Sequence, residues 1–402
     1  GELAVPADKA ISHRAALGCA LVSGPTEIAP WPSGDDCQRT LGVLRSLGVS
    51  IDHLPQGIRV HGVGLNGLQA PRGELDCGES GTTIRLAAGL LAGQPFASRL
   101  TASPSLCQRP MRRIAEPLIE MGAQVESQPS GSSRTQTSEV YPPLRVTGRR
   151  PLQSLRYLMP VASAQVTSAI LLAGLYADGP TTIMQSHPTR DHTERLFQLL
   201  GVDLRCRNGE IVMEPPRQPL RPPQRLVPPG DLSSAAFFIV AAAVLPGSSL
   251  TIREVGLNAT RTPFLMVLQR MGASITVAVD DDSWEPRGTI HVASAPLHGT
   301  TIEAHEVPQL IDELPSLMAA ACAAQGPTTF QGLAELRVKE TDRLHSMTTG
   351  LRRLGARIET SGEATVTVVG GPLRGSTVET FNDHRTAMSL AVAGLMAEGT
   401  TR

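Results

Sequence analysis

The apolar and polar positions along this chain of 402 residues follow two patterns that repeat. In the first, a polar start leads into about three helical turns of apolar residues, followed by glycine and a short β-prone segment. Because a helix that is apolar on every side belongs in a protein interior, this pattern predicts six buried helices. The six copies are residues 12–28, 81–100, 165–183, 231–252, 313–330 and 384–402.

The second pattern is an amphipathic helix that ends in Leu-Gly or Met-Gly and continues as a strand. Glycine readily adopts the left-handed conformation that ends many helices, and the residues after it alternate as they do in a strand. The five capping glycines are Gly48, Gly122, Gly201, Gly272 and Gly355. Together the two patterns predict an α/β protein built from β-α-β-α-β-β repeats. A sixth amphipathic helix would fall beyond Arg402, so we expect the last repeat to be truncated.

The boundary between domains is predicted in the proline-rich stretch 215–230, which has neither a helical nor a strand period. This stretch separates the first three repeats from the last three. We therefore predict a first lobe at residues 9–227 and a second lobe formed by residues 1–8 and 228–402.

The composition argues against several classes of function. The formal net charge of −1 provides no field that would attract nucleic acid or an anionic membrane. The longest apolar stretch, residues 235–245, is too short to cross a bilayer. The 6 cysteines lie far apart and form no metal-binding spacing. We expect a cytoplasmic monomer that acts on small molecules, with no metal, cofactor, nucleic acid or membrane partner.

Lysine is nearly absent, since Lys9 and Lys339 are the only two lysines among 36 lysines and arginines. Arginine can replace lysine in most surface roles, but it cannot replace an ammonium group that must titrate or donate protons. Coding bias would explain the composition without any role for these two residues. We favour the interpretation that both ammonium groups belong to one active site.

Cationic residues also gather at the starts of predicted helices. The glycine-rich loop at residues 76–85 offers backbone N–H groups to an anion. Arginines stand near three further helix starts, at Arg109, Arg343 and Arg385. Each cluster alone could be a solvated surface, but equivalent places in a repeat protein predict a ligand with several negative charges. The nearby carboxylates, Asp312 and Glu340, are either structural ion pairs or groups that transfer protons.

These motifs together resemble the 5-enolpyruvylshikimate-3-phosphate (EPSP) synthase family. The resemblance implies an inside-out α/β barrel pair, with two lobes of three β-α-β-α-β-β repeats each and an active site in the cleft between them. The implied reaction transfers the enolpyruvyl group of phosphoenolpyruvate to the 5-hydroxyl of shikimate 3-phosphate and releases phosphate. It also implies a target of the herbicide glyphosate. The motifs are DKAISHR (8–14), LDCGESGTTIRL (75–86), SLCQRPM (105–111), PVASAQVTSAILLAGL (160–175), TRDHTERL (189–196), PGDLSSAAFFIVAAA (229–243), IDELPSLMAAA (311–321), LRVKETDR (336–343) and NDHRTAM (382–388).

The resemblance implies roles for individual residues as well. Asp312 would remove the 5-hydroxyl proton, and Glu340, helped by Lys9, would handle the proton at the methylene carbon, with Lys339 completing the catalytic set. Gly78 would help shape the loop beside phosphoenolpyruvate. The residues expected to bind phosphoenolpyruvate are Lys9, Gly81, Arg109, Gln165, Arg343 and Arg385. Those expected to bind shikimate 3-phosphate are Lys9, Ala10, Arg14, Ser163, Ala164, Gln165, Thr189, Asp312 and Lys339.

Two positions depart from the family's motifs. Ala10 stands where the family normally has serine, which removes a hydrogen bond to shikimate 3-phosphate worth about 0.5–1.5 kcal/mol. Glu79 stands where asparagine is common and adds a negative charge. Two alternatives therefore stay open: a non-catalytic anion-binding paralogue, and the sister transferase that acts on UDP-N-acetylglucosamine and uses a loop cysteine, near which Cys107 would fall.

Overall fold

The computed structural model describes residues 1–127 and 139–402, and these group into two units. Residues 7–228 form the first unit. The second unit combines residues 229–402 with residues 1–6, which contain strand β1 (Glu2–Ala4). The chain therefore starts in the second unit, builds the whole first unit, and returns through the proline-rich stretch.

The first unit follows the predicted repeats. Its helices are α1 (Lys9–Ala20), α2 (Asp35–Ser46), α3 (Gly81–Ala92), α4 (Arg112–Glu120), α5 (Ala164–Gly174) and α6 (His192–Leu199). Its strands are β2 (Ser23–Ile28), β3 (Ser50–Leu54), β4 (Gly57–Val63), β5 (Leu75–Asp76), β6 (Ala97–Thr101), β7 (Gln124–Ser127), β8 (Leu144–Thr147), β9 (Leu155–Leu158), β10 (Thr181–Met184), β11 (Leu204–Arg207), β12 (Glu210–Met213) and β13 (Arg225–Leu226). Outside residues 128–138, these strands form sheets in the orders β13-β2-β4-β3, β5-β6-β8-β7 and β11-β12-β10-β9.

The second unit repeats this plan. Its helices are α7 (Leu232–Val244), α8 (Pro263–Arg270), α9 (Val307–Leu310), α10 (Leu314–Ala323), α11 (Arg343–Arg353) and α12 (His384–Leu395). Its further strands are β14 (Ser249–Gly256), β15 (Ser274–Asp281), β16 (Arg287–Ala293), β17 (Thr301–Ile302), β18 (Pro327–Phe330), β19 (Arg357–Ser361), β20 (Thr365–Val369), β21 (Leu373–Arg374) and β22 (Ala397–Glu398). The sheet orders are β1-β14-β16-β15, β17-β18-β20-β19 and β21-β22. Strand β1 is parallel to β14, with Leu3 opposite Ile252.

The predicted apolar helices are the core helices α1, α3 and α5 of the first unit and α7, α10 and α12 of the second. Helix α3 packs on α5, and α10 packs on both α7 and α12. Small residues allow these helices to approach closely, since a Cβ on Gly89 would lie only 2.3 Å from the carbonyl oxygen of Ala169. Their apolar character is explained by this packing, and no helix of the described residues is long and apolar enough to cross a membrane.

The amphipathic helices α2, α4, α6, α8 and α11 end as the sequence predicts. In α2, for example, the N–H of Val49 donates to the carbonyl of Leu44 at 3.1 Å, across the capping Gly48. All five predicted capping glycines have left-handed φ angles, between +88° and +101°. The helix ends, and with them the places where the following strands begin, are therefore determined by local sequence.

One histidine lies fully buried in the first core helix. Nδ1 of His13 is 2.6 Å from Oγ1 of Thr40. Burial lowers the pKa of the His13 imidazole to about 3, helped by the charge of Lys9 and opposed by that of Asp36. The ring is therefore neutral at pH 7.

This histidine should make the protein less stable in acid. In the unfolded chain its pKa returns to 6.5, so below that pH the unfolded state binds a proton that the folded state excludes. The contribution of His13 to the free energy of unfolding is complete above pH 6.5. Below that pH it is lost by about 1.4 kcal/mol per pH unit, until the folded-state pKa is reached. Urea unfolding at a series of pH values measures this slope. His13→Asn keeps a donor toward Thr40 but does not titrate, so an equal slope in both proteins would contradict the assignment.

Candidate active site

Lys9 is the first residue of α1, where Asp8 caps the helix by accepting a hydrogen bond from the N–H of Ile11 at 3.0 Å. The Lys9 side chain is partly exposed, and its Nζ donates to Oδ2 of Asp36 at 2.9 Å. Asp36 lies in the first turn of α2. The ammonium group is thus oriented by a carboxylate 27 residues away, a partner that no local sequence signal reveals.

Arg14 is buried in α1, and its side chain reaches both α5 and α6. Its Nε donates to Oγ1 of Thr193 at 2.9 Å, and its two terminal nitrogens donate to Oγ of Ser168 at 2.8 Å and to the carbonyl of Ala10 at 2.9 Å. Arg14 therefore ties three helices together and holds the backbone immediately after Lys9. Ala10 itself contributes a methyl group where a serine hydroxyl was expected from the family motif.

The glycine-rich loop ends at α3, where Ser80 caps the helix and accepts the N–H of Thr83 at 3.1 Å. Gly81 is the first residue of this helix. A Cβ on Gly81 would stand 2.7 Å from a terminal nitrogen of Arg85 and 2.9 Å from one of Arg109. Two guanidinium groups therefore converge on the backbone of the loop, which is the arrangement expected of a cradle for an anion.

Gln165 joins this group from the start of α5. Its Oε1 accepts a hydrogen bond from Arg85 at 3.1 Å, and its Nε2 donates to Oγ1 of Thr82 at 3.1 Å. The structure thus brings together three residues predicted to bind phosphoenolpyruvate in this unit: Gly81, Arg109 and Gln165.

Other predicted residues of the first unit lie at the neighbouring helix starts. Ser163 caps α5 by accepting the N–H of Val166 at 3.5 Å, and Ala164 is the first residue of that helix. Thr189 is buried in the segment before α6, and its hydroxyl donates to Oε1 of Gln185 at 3.2 Å. That hydrogen bond lies within the segment itself and does not link Thr189 to Gly81, Arg109 or Gln165.

Asp312 anchors the corresponding group in the second unit. Its Oδ1 is 3.6 Å from a terminal nitrogen of Arg343, and its Oδ2 is 3.6 Å from a terminal nitrogen of Arg385. Arg385 also donates to the backbone carbonyl of Asp312 at 2.8 Å. Asp312, which is predicted to act as a base, therefore lies between Arg343 and Arg385. These two arginines are predicted to bind the carboxylate of the ligand.

Asp383 organises these arginines. Its Oδ1 caps α12 by accepting the N–H groups of Arg385 at 2.9 Å and Thr386 at 3.0 Å. Its Oδ2 accepts a hydrogen bond from Nε of Arg343 at 2.8 Å, and Arg343, which is only 1% exposed, also donates to Glu340. The place of Asp383 just before an apolar helix is a capping signal, but nothing in the local sequence indicates that it also pairs with Arg343.

The pKa values of Lys339 and Arg385 are shifted in opposite directions. Burial lowers the pKa of the Lys339 ammonium, while the carboxylates of Asp312, Glu335 and Glu340 partly oppose this. For Arg385 burial also acts to lower the pKa, but nearby carboxylates, Asp312 first, outweigh it and raise the pKa overall. Lys339 therefore releases a proton more readily than an ordinary lysine, whereas Arg385 stays charged.

Cations and carboxylates are mixed in the second-unit group. Lys339, Arg343 and Arg385 stand beside Asp312, Glu340 and Asp383, and Glu335 also acts on Lys339. In the first-unit group, Lys9 pairs with Asp36, and Arg85 and Arg109 meet at Gly81. Both groups therefore offer cations to an anionic ligand, and the second-unit group adds carboxylates that can move protons.

Comparisons with known proteins agree over the length of the chain. The family model described as EPSP synthase (3-phosphoshikimate 1-carboxyvinyltransferase) matches residues 1–402. A protein of Xanthomonas campestris pv. campestris (strain B100) named 3-phosphoshikimate 1-carboxyvinyltransferase is 46% identical over 412 residues, covering 100% of this chain and 90% of the relative. A relative of the same name from Xanthomonas oryzae pv. oryzae (strain PXO99A) is 45% identical over 409 residues, covering 100% of this chain and 89% of its own. A solved EPSP synthase from Acinetobacter baumannii superimposes with a TM-score of 0.86 at 39% identity, covering 99% of this chain and 90% of its own.

Proposed function

This chain belongs to the EPSP synthase family, and we infer that it transfers the enolpyruvyl group of phosphoenolpyruvate to the 5-hydroxyl of shikimate 3-phosphate. The products are 5-enolpyruvylshikimate 3-phosphate and phosphate, in the shikimate pathway that leads to aromatic amino acids. The observation that carries this conclusion is the family match over the whole chain. The predicted inside-out α/β fold agrees with the solved relatives as well.

We propose that cations overcome the repulsion between the two anionic substrates. Arg343 and Arg385 bind the carboxylate of phosphoenolpyruvate through paired N–H donors. Lys9, Arg109 and the start of α3 at Gly81 face its phosphate. Preorganised charges of this kind lower the barrier to addition because they need no rearrangement at the moment of reaction. The contacts among Gly81, Arg85, Arg109 and Gln165 support this assignment.

Shikimate 3-phosphate is assigned to a second set of residues. Donors at the start of α5 and the cations around them hold its phosphate and hydroxyl groups, while Asp312 faces the 5-hydroxyl that reacts. Because Ala10 has no hydroxyl, this set makes one hydrogen bond fewer than the family motif allows. The set is Lys9, Ala10, Arg14, Ser163, Ala164, Gln165, Thr189, Asp312 and Lys339.

The chemistry then needs proton transfers at two carboxyl groups. Asp312 takes the 5-hydroxyl proton as that oxygen attacks C2 of phosphoenolpyruvate, and Glu340, helped by Lys9, gives a proton to the methylene carbon. In the resulting tetrahedral intermediate, the bond from C2 to the phosphate oxygen breaks and phosphate leaves with the proton that Asp312 had taken. The methyl group returns a proton to Glu340, so both carboxyl groups regain their starting state. Lys339, whose pKa is lowered by burial, neutralises charge that develops beside Asp312.

Phosphate release tests this proposal and its alternatives. The purified protein is given phosphoenolpyruvate with shikimate 3-phosphate, with UDP-N-acetylglucosamine, or alone. We expect release only with shikimate 3-phosphate. Release with the nucleotide sugar would identify the sister transferase, and no release in any arm would identify a non-catalytic paralogue.

The six cysteines are all free, which supports a reducing compartment, and we propose the cytoplasm.

Glyphosate should compete with phosphoenolpyruvate. Gly81 leaves no side chain at the position where, in this family, a methyl group crowds the inhibitor. We expect glyphosate to raise the apparent KM for phosphoenolpyruvate without changing kcat. In Gly81→Ala the new methyl group would press on the guanidinium ends of Arg85 and Arg109, at 2.7 and 2.9 Å. This variant should raise the inhibition constant at least about tenfold, near 1.4 kcal/mol. An unchanged constant would mean that the inhibitor does not approach Gly81.

A further inference from the structure

Four buried side chains of the first unit form a continuous line of hydrogen bonds, here called the hydroxyl chain. It consists of His13, Thr40, Thr83 and Ser80. Nδ1 of His13 is 2.6 Å from Oγ1 of Thr40, which is 2.7 Å from Oγ1 of Thr83, which is 2.7 Å from Oγ of Ser80. No member is more than 2% exposed. A buried polar group that loses its partner costs free energy, so each link constrains its neighbours.

When Thr83 is the donor to Ser80 or to Asp36, the protons in the hydroxyl chain take one order. Thr83 donates its single hydroxyl proton to Oγ of Ser80, or to the carbonyl of Asp36 at 3.3 Å. It must then accept from Thr40, and Thr40 must accept from His13. The neutral His13 ring therefore carries its proton on Nδ1. Because each link in this order has one donor and one acceptor, breaking one link leaves a buried group without its partner.

The hydroxyl chain joins the elements that carry the first-unit site. His13 lies one turn after Lys9 on α1, and Thr40 lies one turn after Asp36 on α2. Ser80 and Thr83 stand on either side of Gly81 and Thr82 at the start of α3. Three helix starts, which in sequence are separated by 26 or more residues, are thereby fixed to one another.

We propose that the hydroxyl chain positions the loop at Gly81 for phosphoenolpyruvate. The inference rests on the proposed function, since it assigns that substrate to Gly81 and Arg109. A Cβ on Gly81 would lie 2.7 Å from a terminal nitrogen of Arg85 and 2.9 Å from one of Arg109, so the loop and both guanidinium groups are close together. Movement of the loop therefore changes the geometry of this anion site. His13, Thr40, Thr83 and Ser80 are positioning residues that do not touch substrate. They act on the affinity for phosphoenolpyruvate through the backbone of the loop.

Thr83→Val tests the proposal because valine keeps the shape of threonine and removes only the hydroxyl. We expect the KM for phosphoenolpyruvate to rise about tenfold, with kcat and the KM for shikimate 3-phosphate within about threefold of the wild type. Thr83→Ser, which keeps the hydroxyl, should restore most of the affinity. The matched control is Thr181→Val, because Thr181 is equally buried but its hydroxyl has no hydrogen-bond partner within the described residues.

The possible outcomes separate this inference from the proposed function. An inactive wild-type protein overturns the proposed function and the inference with it. If the wild type is active but Thr83→Val raises both KM values equally, the inference alone is overturned. The same holds if Thr83→Val changes only the melting temperature. If Thr83→Val does not fold, Thr40→Val breaks the adjacent link and takes the same test, with Thr40→Ser as its rescue.

Discussion

Replacing Asp312 with asparagine is expected to lower kcat by about 10²–10⁴-fold, the range typical for loss of a general base. Asparagine keeps the size of the side chain and an oxygen that can accept from Arg343 and Arg385, which lie 3.6 Å from the carboxylate. It cannot take the proton of the 5-hydroxyl. The KM for phosphoenolpyruvate should stay within about fivefold, because the arginines that bind it remain. Steady-state phosphate release provides both quantities.

Asp282→Asn is the matched control, since Asp282 is an exposed aspartate of the same unit. It should leave kcat unchanged. The Asp312 variant should also melt at a slightly lower temperature, because the positive charges of Arg343 and Arg385 lose a carboxylate between them. A kcat near the wild-type value in Asp312→Asn would show that another group removes the proton.

The second large effect is expected at the two lysines. Lys339→Arg and Lys9→Arg should each lower turnover by at least about tenfold, near 1.4 kcal/mol. Both changes keep the positive charge, so folding should hardly change. The ammonium of Lys339 has a lowered pKa through burial, and that of Lys9 fits a single oxygen of Asp36 at 2.9 Å. A guanidinium group is larger, does not give up its proton and cannot rotate its donors in the same way.

The control for this pair is an exchange in the opposite direction at an exposed site. Arg205, on β11, pairs with Asp203 at the surface, and Arg205→Lys should be silent in turnover and in melting temperature. Wild-type turnover in either lysine variant would remove that lysine from the proposed chemistry. Coding bias would then be a sufficient explanation for its survival.

Local patterns predicted the repeats because the forces behind them are local. The core helices are mostly apolar, and the capping glycines have the φ angles that only glycine adopts without strain. The order of elements in each repeat follows from these two signals. The same signals predicted the positions of the cationic helix starts, at Gly81 and Arg385 for example, because the start of a helix has a local sequence signal.

Contacts between distant segments could not be predicted in this way. The Lys9–Asp36 ion pair joins residues 27 apart, and the Arg343–Asp383 pair joins residues 40 apart. In each case the partner is one of many acidic residues, and only the packing of helices selects it. The hydroxyl chain is still less visible, because buried serine and threonine resemble surface serine and threonine in sequence.

The placement of β1 has a consequence for synthesis of the protein on the ribosome. Its partner β14 begins at Ser249, 245 residues after Ala4 (249 minus 4). At about 5–20 residues per second, the nascent chain carries this strand without its partner for on the order of 10–50 s. During that time the whole first unit emerges and can fold. The charged side chain of Glu2, within β1, then disfavours pairing of this strand with the wrong edge. Strand β1 is therefore made long before the strand that holds it in its sheet.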